Sequence, residues 1–155
     1  MASITGQLIW RLRALVRPPV TFGVRCMVVD ADRRVLLVRH TYITGWHFPG
    51  GGVDPGETAR EGAMRELREE TGLALATPPE FFGLYFNRGM AQRDHVALFV
   101  ARDHPPLDAA ALRPQATEIA EVRLAPLDAL PEGLSAATRR RLAEVAGGAA
   151  PSDVW

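Results

Sequence analysis

GGVDPGETAREGAMRELREETGL, residues 51–73, joins a glycine-rich turn to a run with helical periodicity and carries six carboxylates. Three of them, Glu66, Glu69 and Glu70, fall within an arc of about 100° when the run is wound at 3.6 residues per turn. Like charges one turn apart destabilise an isolated helix by about 0.2–0.5 kcal/mol per pair. At a partly buried site, two carboxylates about 6 Å apart repel by roughly 3 kcal/mol. A positive partner is therefore expected on that face, and hard divalent cations favour carboxylate oxygens. The ends of the helix are legible as well. Thr58 with Glu61 three residues on forms a capping box that starts the helix at Ala59, and Gly72 sits where a left-handed residue ends one. Ala59, Ala63, Met64 and Leu67 line the adjoining side and are expected to pack on a sheet.

The fixed positions are Gly51, Glu57 after five residues, then Arg65-Glu66-Leu67 after seven more. Glu69-Glu70 and Gly72-Leu73 follow, each after a single residue. This spacing resembles the Nudix box, with every fixed position filled. The resemblance implies an α/β/α sandwich around a mixed sheet. It also implies a Mg2+- or Mn2+-dependent hydrolase of a nucleoside diphosphate linked to another group X: a nucleoside triphosphate, a nucleotide sugar or ADP-ribose. On the same ground the metal ligands are the Gly50 carbonyl, Glu66 and Glu70, with Glu69 serving a further cation or a bound water. Arg65 and Glu57 brace the loop against the helix, and Glu66, Glu69 and Arg65 count as catalytic. The cation neutralises pyrophosphate oxygens and activates the water that attacks phosphorus. A nucleotide-binding regulator that no longer hydrolyses, and an RNA 5′-pyrophosphohydrolase, are the alternatives. Independently of the resemblance, the run Gly50-Gly51-Gly52 lets backbone approach a ligand closely, so Gly51 and Gly52 are candidate substrate contacts.

Length and composition bound the rest. A chain of 155 residues that is 47% hydrophobic supports one domain with a full core. The expected division is an N-terminal amphipathic helix in 1–19, the hydrolase domain in 20–146 and a flexible tail in 147–155. All 18 basic residues are Arg, which excludes lysine Schiff-base and P-loop chemistry. With 18 acids the net charge is zero, which argues against stable nucleic-acid binding. Cys26 is the only cysteine and sits in an apolar run, so it reads as a buried thiol in a reducing, cytoplasmic setting. No run is long enough to span a membrane. Residues 4–17 place Ile4, Leu8, Leu12 and Leu15 at helical spacing. Packing on the domain, or on a second subunit of a homodimer, is the preferred reading over a membrane-surface helix.

Around the box, strands are expected at Val20–Val29, Val35–Arg39, Leu84–Phe86, His95–Ala101 and Glu118–Leu124, with a final helix from Ser135 to Val145. The first two form a hairpin about Asp30–Arg33. The proline-bearing loop Arg102–Thr117 is expected to border the substrate. Glu118 is the candidate downstream carboxylate and Glu121 its alternative. Tyr42, Trp46 or Phe48 is expected to stack on a base, and alternation about His47 turns at least one of Trp46 and Phe48 inward. The four histidines lack metal-ligand spacing and read as structural, with His95 closest to a possible substrate loop.

Overall fold

The structure is a computed structural model that describes residues 20–89 and 93–155. Five strands form one mixed sheet in the order β3-β4-β1-β2-β5. They are β1 (Thr21–Asp30), β2 (Arg34–His40), β3 (Glu80–Asn87), β4 (Asp94–His104) and β5 (Ile119–Pro126). Helix α1 (Ala59–Thr71) covers one face and α2 (Ala136–Gly147) the other. β1 runs parallel to β4, and the remaining neighbours are antiparallel. The expected sandwich is therefore present. The N-terminal amphipathic segment, residues 4–17, lies outside the described residues.

Strand alternation sorts the core onto two faces. Val24, Cys26 and Val28 of β1, Leu36 of β2, and Ala97 and Phe99 of β4 meet Ala63 and Leu67 of α1. Met27, Val35, Leu37, Leu98 and Val100 face the other way and meet Leu142 and Val145 of α2. Leu67 is fully buried, which contributes about 1.5–3 kcal/mol to seating α1. Burial pushes the Cys26 thiol up to about 12, consistent with an inert core residue.

β1 and β2 are paired in register only at Val29 and Val35, next to their turn. Beyond that point they separate, and the segment Trp46–Val53 wedges between them. His47 exchanges hydrogen bonds with Val38 of β2. On the other side, Val24 N–H donates to Gly51 O, Cys26 N–H to Pro49 O, and Val53 N–H to Phe22 O. The glycine loop is thus stitched into the sheet.

Both β3 and β4 run longer than the side-chain pattern indicates. Backbone pairing holds them: β4 stays in register with β1 from Asp94 to Ala101, and β3 follows β4 from Glu80 to Asn87. The long loop after β4 is also more tied down than its prolines imply. Leu107 N–H donates to buried Asp30, Asp108 caps a short 3-10 turn at Ala109–Ala111, and Arg113 N–H meets Thr71 O at the end of α1.

The tail 147–155, expected to be loose, is docked. Phe86 N–H donates to Asp153 O and Trp155 N–H to Phe86 O, which adds a short parallel segment to edge strand β3. Beneath it lies Arg141, fully buried, bonded to Glu144 at 2.6 Å, Ser152 Oγ at 2.9 Å and Val154 O at 3.0 Å. Its guanidinium stacks 4.1 Å from the Tyr85 ring, and Trp155 packs edge-on to the same ring. The expectation failed because the tail's anchors are partner groups on β3 and α2, invisible in the tail's own composition. Docking also covers an otherwise open sheet edge.

Candidate metal and phosphate site

The site begins with two local structures that bring α1 against the glycine loop. The Thr58–Glu61 capping box is present in both directions, and Gly72 closes the helix at φ 76° with its N–H on Arg68 O. The helix therefore has the predicted boundaries, and its phase relative to the loop is set by Ala63 and Leu67 in the core.

Arg65 is the brace. Its guanidinium reaches Glu57 at 2.7 Å, Gly52 O at 2.9 Å, Glu66 at 2.9 Å and Glu69 at 3.2 Å. Glu57 in turn accepts the Asp54 N–H at 2.6 Å. Hydrogen bonding from Arg65 holds Glu57 below the usual carboxylate range, and the same bonds raise Arg65 above an ordinary arginine. Arg65 and Glu57 thus take the structural role the box resemblance implies. The Arg65 side chain is spent on that network.

The three helix carboxylates differ sharply in environment. Glu69 is 45% exposed, Glu66 is 16% exposed and Glu70 is 4% exposed at the side chain. Glu66 lies directly against the loop backbone, where a Cβ on Gly51 would sit 2.5 Å from its carboxylate. Glu70 accepts the Gly50 N–H at 2.9 Å. Burial pushes Glu70 up to about 7, against the lowering effect of that N–H and of Arg25. Burial likewise raises Glu66, with Arg65 opposing it.

Gly50 makes this proximity possible. Its φ of 146° belongs to glycine, and a Cβ there would lie 2.1 Å from Val24 O. Its carbonyl accepts from the Arg25 guanidinium.

Two neighbours were not singled out from the sequence as site residues. His40, 1% exposed at the side chain, places Nδ1 3.7 Å from Glu70, and neither ring nitrogen has a hydrogen-bond partner. Burial and Arg25 lower it to about 4, so it is a neutral imidazole and the contact is not an ion pair. The alternation Leu36, Val38, His40 along β2 carried the signal, since it points His40 to the α1 face. Arg25 was equally readable as a charge in the middle of an apolar strand.

Among the remaining candidates, Glu118 is exposed, and its charge helps raise both Tyr42 and Glu70. Glu121 is bonded to Arg39 and Arg123 at 2.7 and 2.8 Å, a cross-strand ion pair away from that role. Trp46 and Phe48, named as substrate contacts, are core residues at 5% and 1% exposure. The arginines of that ion pair also flank Trp46, with Arg123 4.6 Å from its ring. The bridges of the wedge segment to β2 and to Leu134 turn both rings inward. Tyr42, 66% exposed, remains the aromatic available to a base. Only the end of the long loop comes near: Thr41 N–H donates to Glu118 O. Its beginning borders a separate cavity of about 450 Å³ between Ala74–Pro78 and the end of β4. His95 packs on Phe86.

Among the described residues, no three His, Cys, Asp or Glu side chains converge as a ready-made metal cage. Arg65 draws Glu66 and Glu69 to one side, while Gly50 holds Glu70 at the other. The donor set nevertheless suits a hard cation. Oxygen donors from Glu66, Glu70 and the loop backbone adjoin one another, and burial penalises both carboxylates in their charged form.

The family model described as NUDIX domain matches residues 19–145. A Bacillus subtilis (strain 168) protein named putative 8-oxo-dGTP diphosphatase is 37% identical over 76 residues, 49% of this chain and 50% of that one. An RNA pyrophosphohydrolase of Rickettsia bellii (strain OSU 85-389) is 41% identical over 56 residues, 35% of either chain. The aligned stretches thus span half or less of these curated relatives. Among solved structures, the MutT NUDIX hydrolase from Burkholderia pseudomallei superposes with a TM-score of 0.68 at 26% identity, covering 83% of this chain and 99% of that one. The NUDIX domain of Shewanella oneidensis NrtR, complexed with ADP ribose, shares the fold at TM-score 0.73 and 17% identity, covering 96% and 99%. With the family model matched over residues 19–145, from β1 through nearly all of α2, the chain belongs to the Nudix family.

Proposed function

We propose that this protein hydrolyses a phosphoric anhydride in a nucleoside diphosphate derivative, using Mg2+ or Mn2+ held by Glu66, Glu70 and the Gly50 carbonyl. The observation that carries the reading is the packing of one buried carboxylate, Glu70, and one half-buried, Glu66, against a glycine backbone that has no room for a Cβ. The cation, when bound, supplies charge neutralisation to the pyrophosphate and acidity to the attacking water. The chain's own residues do the positioning. Arg65 and Glu57 fix the loop relative to α1, so Glu66 and Glu70 meet the substrate's phosphates at a set distance. Glu69, the most exposed of the three, is the first candidate to accept a proton from the attacking water, with Glu118 the second. Tyr42 offers an exposed ring for the base.

A nucleoside triphosphate is the first substrate to test, because the relative with the longer aligned stretch is named for one. RNA 5′-triphosphate ends come second, after the Rickettsia relative. The test is a panel of nucleoside triphosphates, nucleotide sugars, ADP-ribose and 5′-triphosphorylated RNA, incubated with protein and Mg2+ and resolved by chromatography. Cation-dependent cleavage that a chelator abolishes is the expected result. Ligand-induced stabilisation without turnover of any member would replace this reading with that of a nucleotide-binding regulator.

A further inference from the structure

Arg25 lies in the middle of β1 between the buried residues Val24 and Cys26. Its guanidinium donates to the Gly50 carbonyl, and its charge acts on Glu70, Tyr42, Glu66 and Asp94. The flanking carbonyls of Pro49 and Gly51 are committed to the sheet through Cys26 and Val24. Gly50 is therefore held from two sides, its N–H by Glu70 and its carbonyl by Arg25. One arginine thus holds the backbone oxygen a hard cation would use, and its charge also acts on the most buried carboxylate.

We propose that Arg25 is a positioning residue that acts as a built-in counter-charge, competing with the divalent cation for the Gly50 carbonyl and Glu70. Cation binding displaces the guanidinium, and Arg25 thereby sets the cation affinity of the site. The inference rests on the reading of Glu66, Glu70 and Gly50 as the cation cradle. A guanidinium and a divalent ion drawn to one carbonyl oxygen repel each other across it, so the binding of either weakens the hold of the other. Arginine suits the role because its charge persists at all working pH values and its planar fork fixes the donor direction. In the cation-free protein it relieves the repulsion between Glu66 and Glu70. Once displaced, it is a free cation at the edge of the site, facing the anionic substrate.

The test is Mn2+ binding to the full chain, followed by loss of the free-ion electron paramagnetic resonance signal and by calorimetry. Wild type, Arg25→Met, Arg25→Lys, Glu66→Gln and Glu70→Gln are compared. Arg25→Met is expected to bind Mn2+ about tenfold tighter, about 1.4 kcal/mol, while its cation-free melting temperature falls. Arg25→Lys, which keeps the charge, is expected to bind as wild type does. Equal or weaker binding by Arg25→Met overturns the inference. If that variant does not fold, the side-chain Nε resonance of Arg25 in wild type is read during Mg2+ titration. A shift at saturation supports displacement, and an unmoved resonance overturns it. Loss of binding in Glu70→Gln with no gain in Arg25→Met sinks this inference alone. Binding that survives both glutamine variants sinks the cradle reading itself.

Discussion

Replacing Gly50 with Ala isolates the close approach on which the site depends. Two costs are separable. The φ of 146° is a region L-residues rarely enter, worth about 1–3 kcal/mol of backbone strain. The added Cβ would in addition meet Val24 O at 2.1 Å and Arg25 Cα at 2.9 Å, so backbone on one side must move. Moving the loop endangers the bonds Cys26–Pro49, Val24–Gly51 and Gly50–Glu70, each worth about 0.5–1.5 kcal/mol and more for the charged acceptor. Strain plus loss of all three bonds comes to about 3–9 kcal/mol, a large share of the stability of a domain this size. Gly56 is the internal control, because its φ is 90° but nothing lies within 4 Å of its missing Cβ. Gly56→Ala should cost about 1 kcal/mol from strain alone. Urea unfolding of both variants at fixed ionic strength gives the comparison, with cation affinity measured alongside. If Gly50→Ala costs no more than Gly56→Ala and keeps its cation affinity, the argument from close approach is wrong.

Three further outcomes follow from the same geometry. Glu66→Gln and Glu70→Gln should each lower turnover by about 10²–10³ while leaving the cation-free protein as stable or more so; Glu61→Gln should keep the capping bond in neutral, weaker form and keep turnover, and wild-type turnover in Glu70→Gln at limiting Mg2+ would contradict the site. Burial opposes ionisation of Asp30, but hydrogen bonds from Arg34 and Leu107 overcome it and leave its pKa below the ordinary 3.8, so its stabilisation is present above that value and is lost as pH falls through the lower folded one; urea midpoints below about pH 4 should therefore drop steeply in wild type and more shallowly in Asp30→Asn. Arg141→Met should cost about 2–4 kcal/mol and release the tail, read as carboxypeptidase cleavage of residues 151–155 that wild type resists; equal resistance would show that Arg141 does not hold the tail.

The parts that were legible in the sequence are those whose partners are close in the chain. The α1 helix and its caps are set by residues a few apart and stand where the spacing places them; the Glu57–Arg65 brace spans eight residues and was implied by the box resemblance instead. The strand positions were legible from alternation, but the full lengths of β3 and β4 were not, because neighbouring backbone extends them where side chains carry no pattern. Trp46 and Phe48 looked like ligand contacts because aromatics beside a glycine loop suit either role; the wedge between β1 and β2 decides, and it forms only in the folded sheet. Arg25 and His40 were missed for the opposite reason. Each stands out within its strand, His40 by alternation and Arg25 by its charge, but its partner Glu70 lies 30 or more residues away in sequence and no local reading names it. The docked tail depends on Tyr85 and Arg141, which no local reading of residues 147–155 contains.

The wedge has a kinetic and entropic corollary. A loop hydrogen-bonded to the central strand cannot open by itself; exposing its amides requires parting β1 from its neighbours, so its exchange with solvent should approach the slow rate of the sheet. The freedom of the glycines is then surrendered when the protein folds, before any ligand arrives. An incoming anion meets a surface already in shape and forfeits little to ordering it, which favours affinity. The same economy restricts evolution at this place. Length changes are tolerated at the far ends of the strands, whereas one residue added between Trp46 and Val53 would put the loop out of register with β1 or β2.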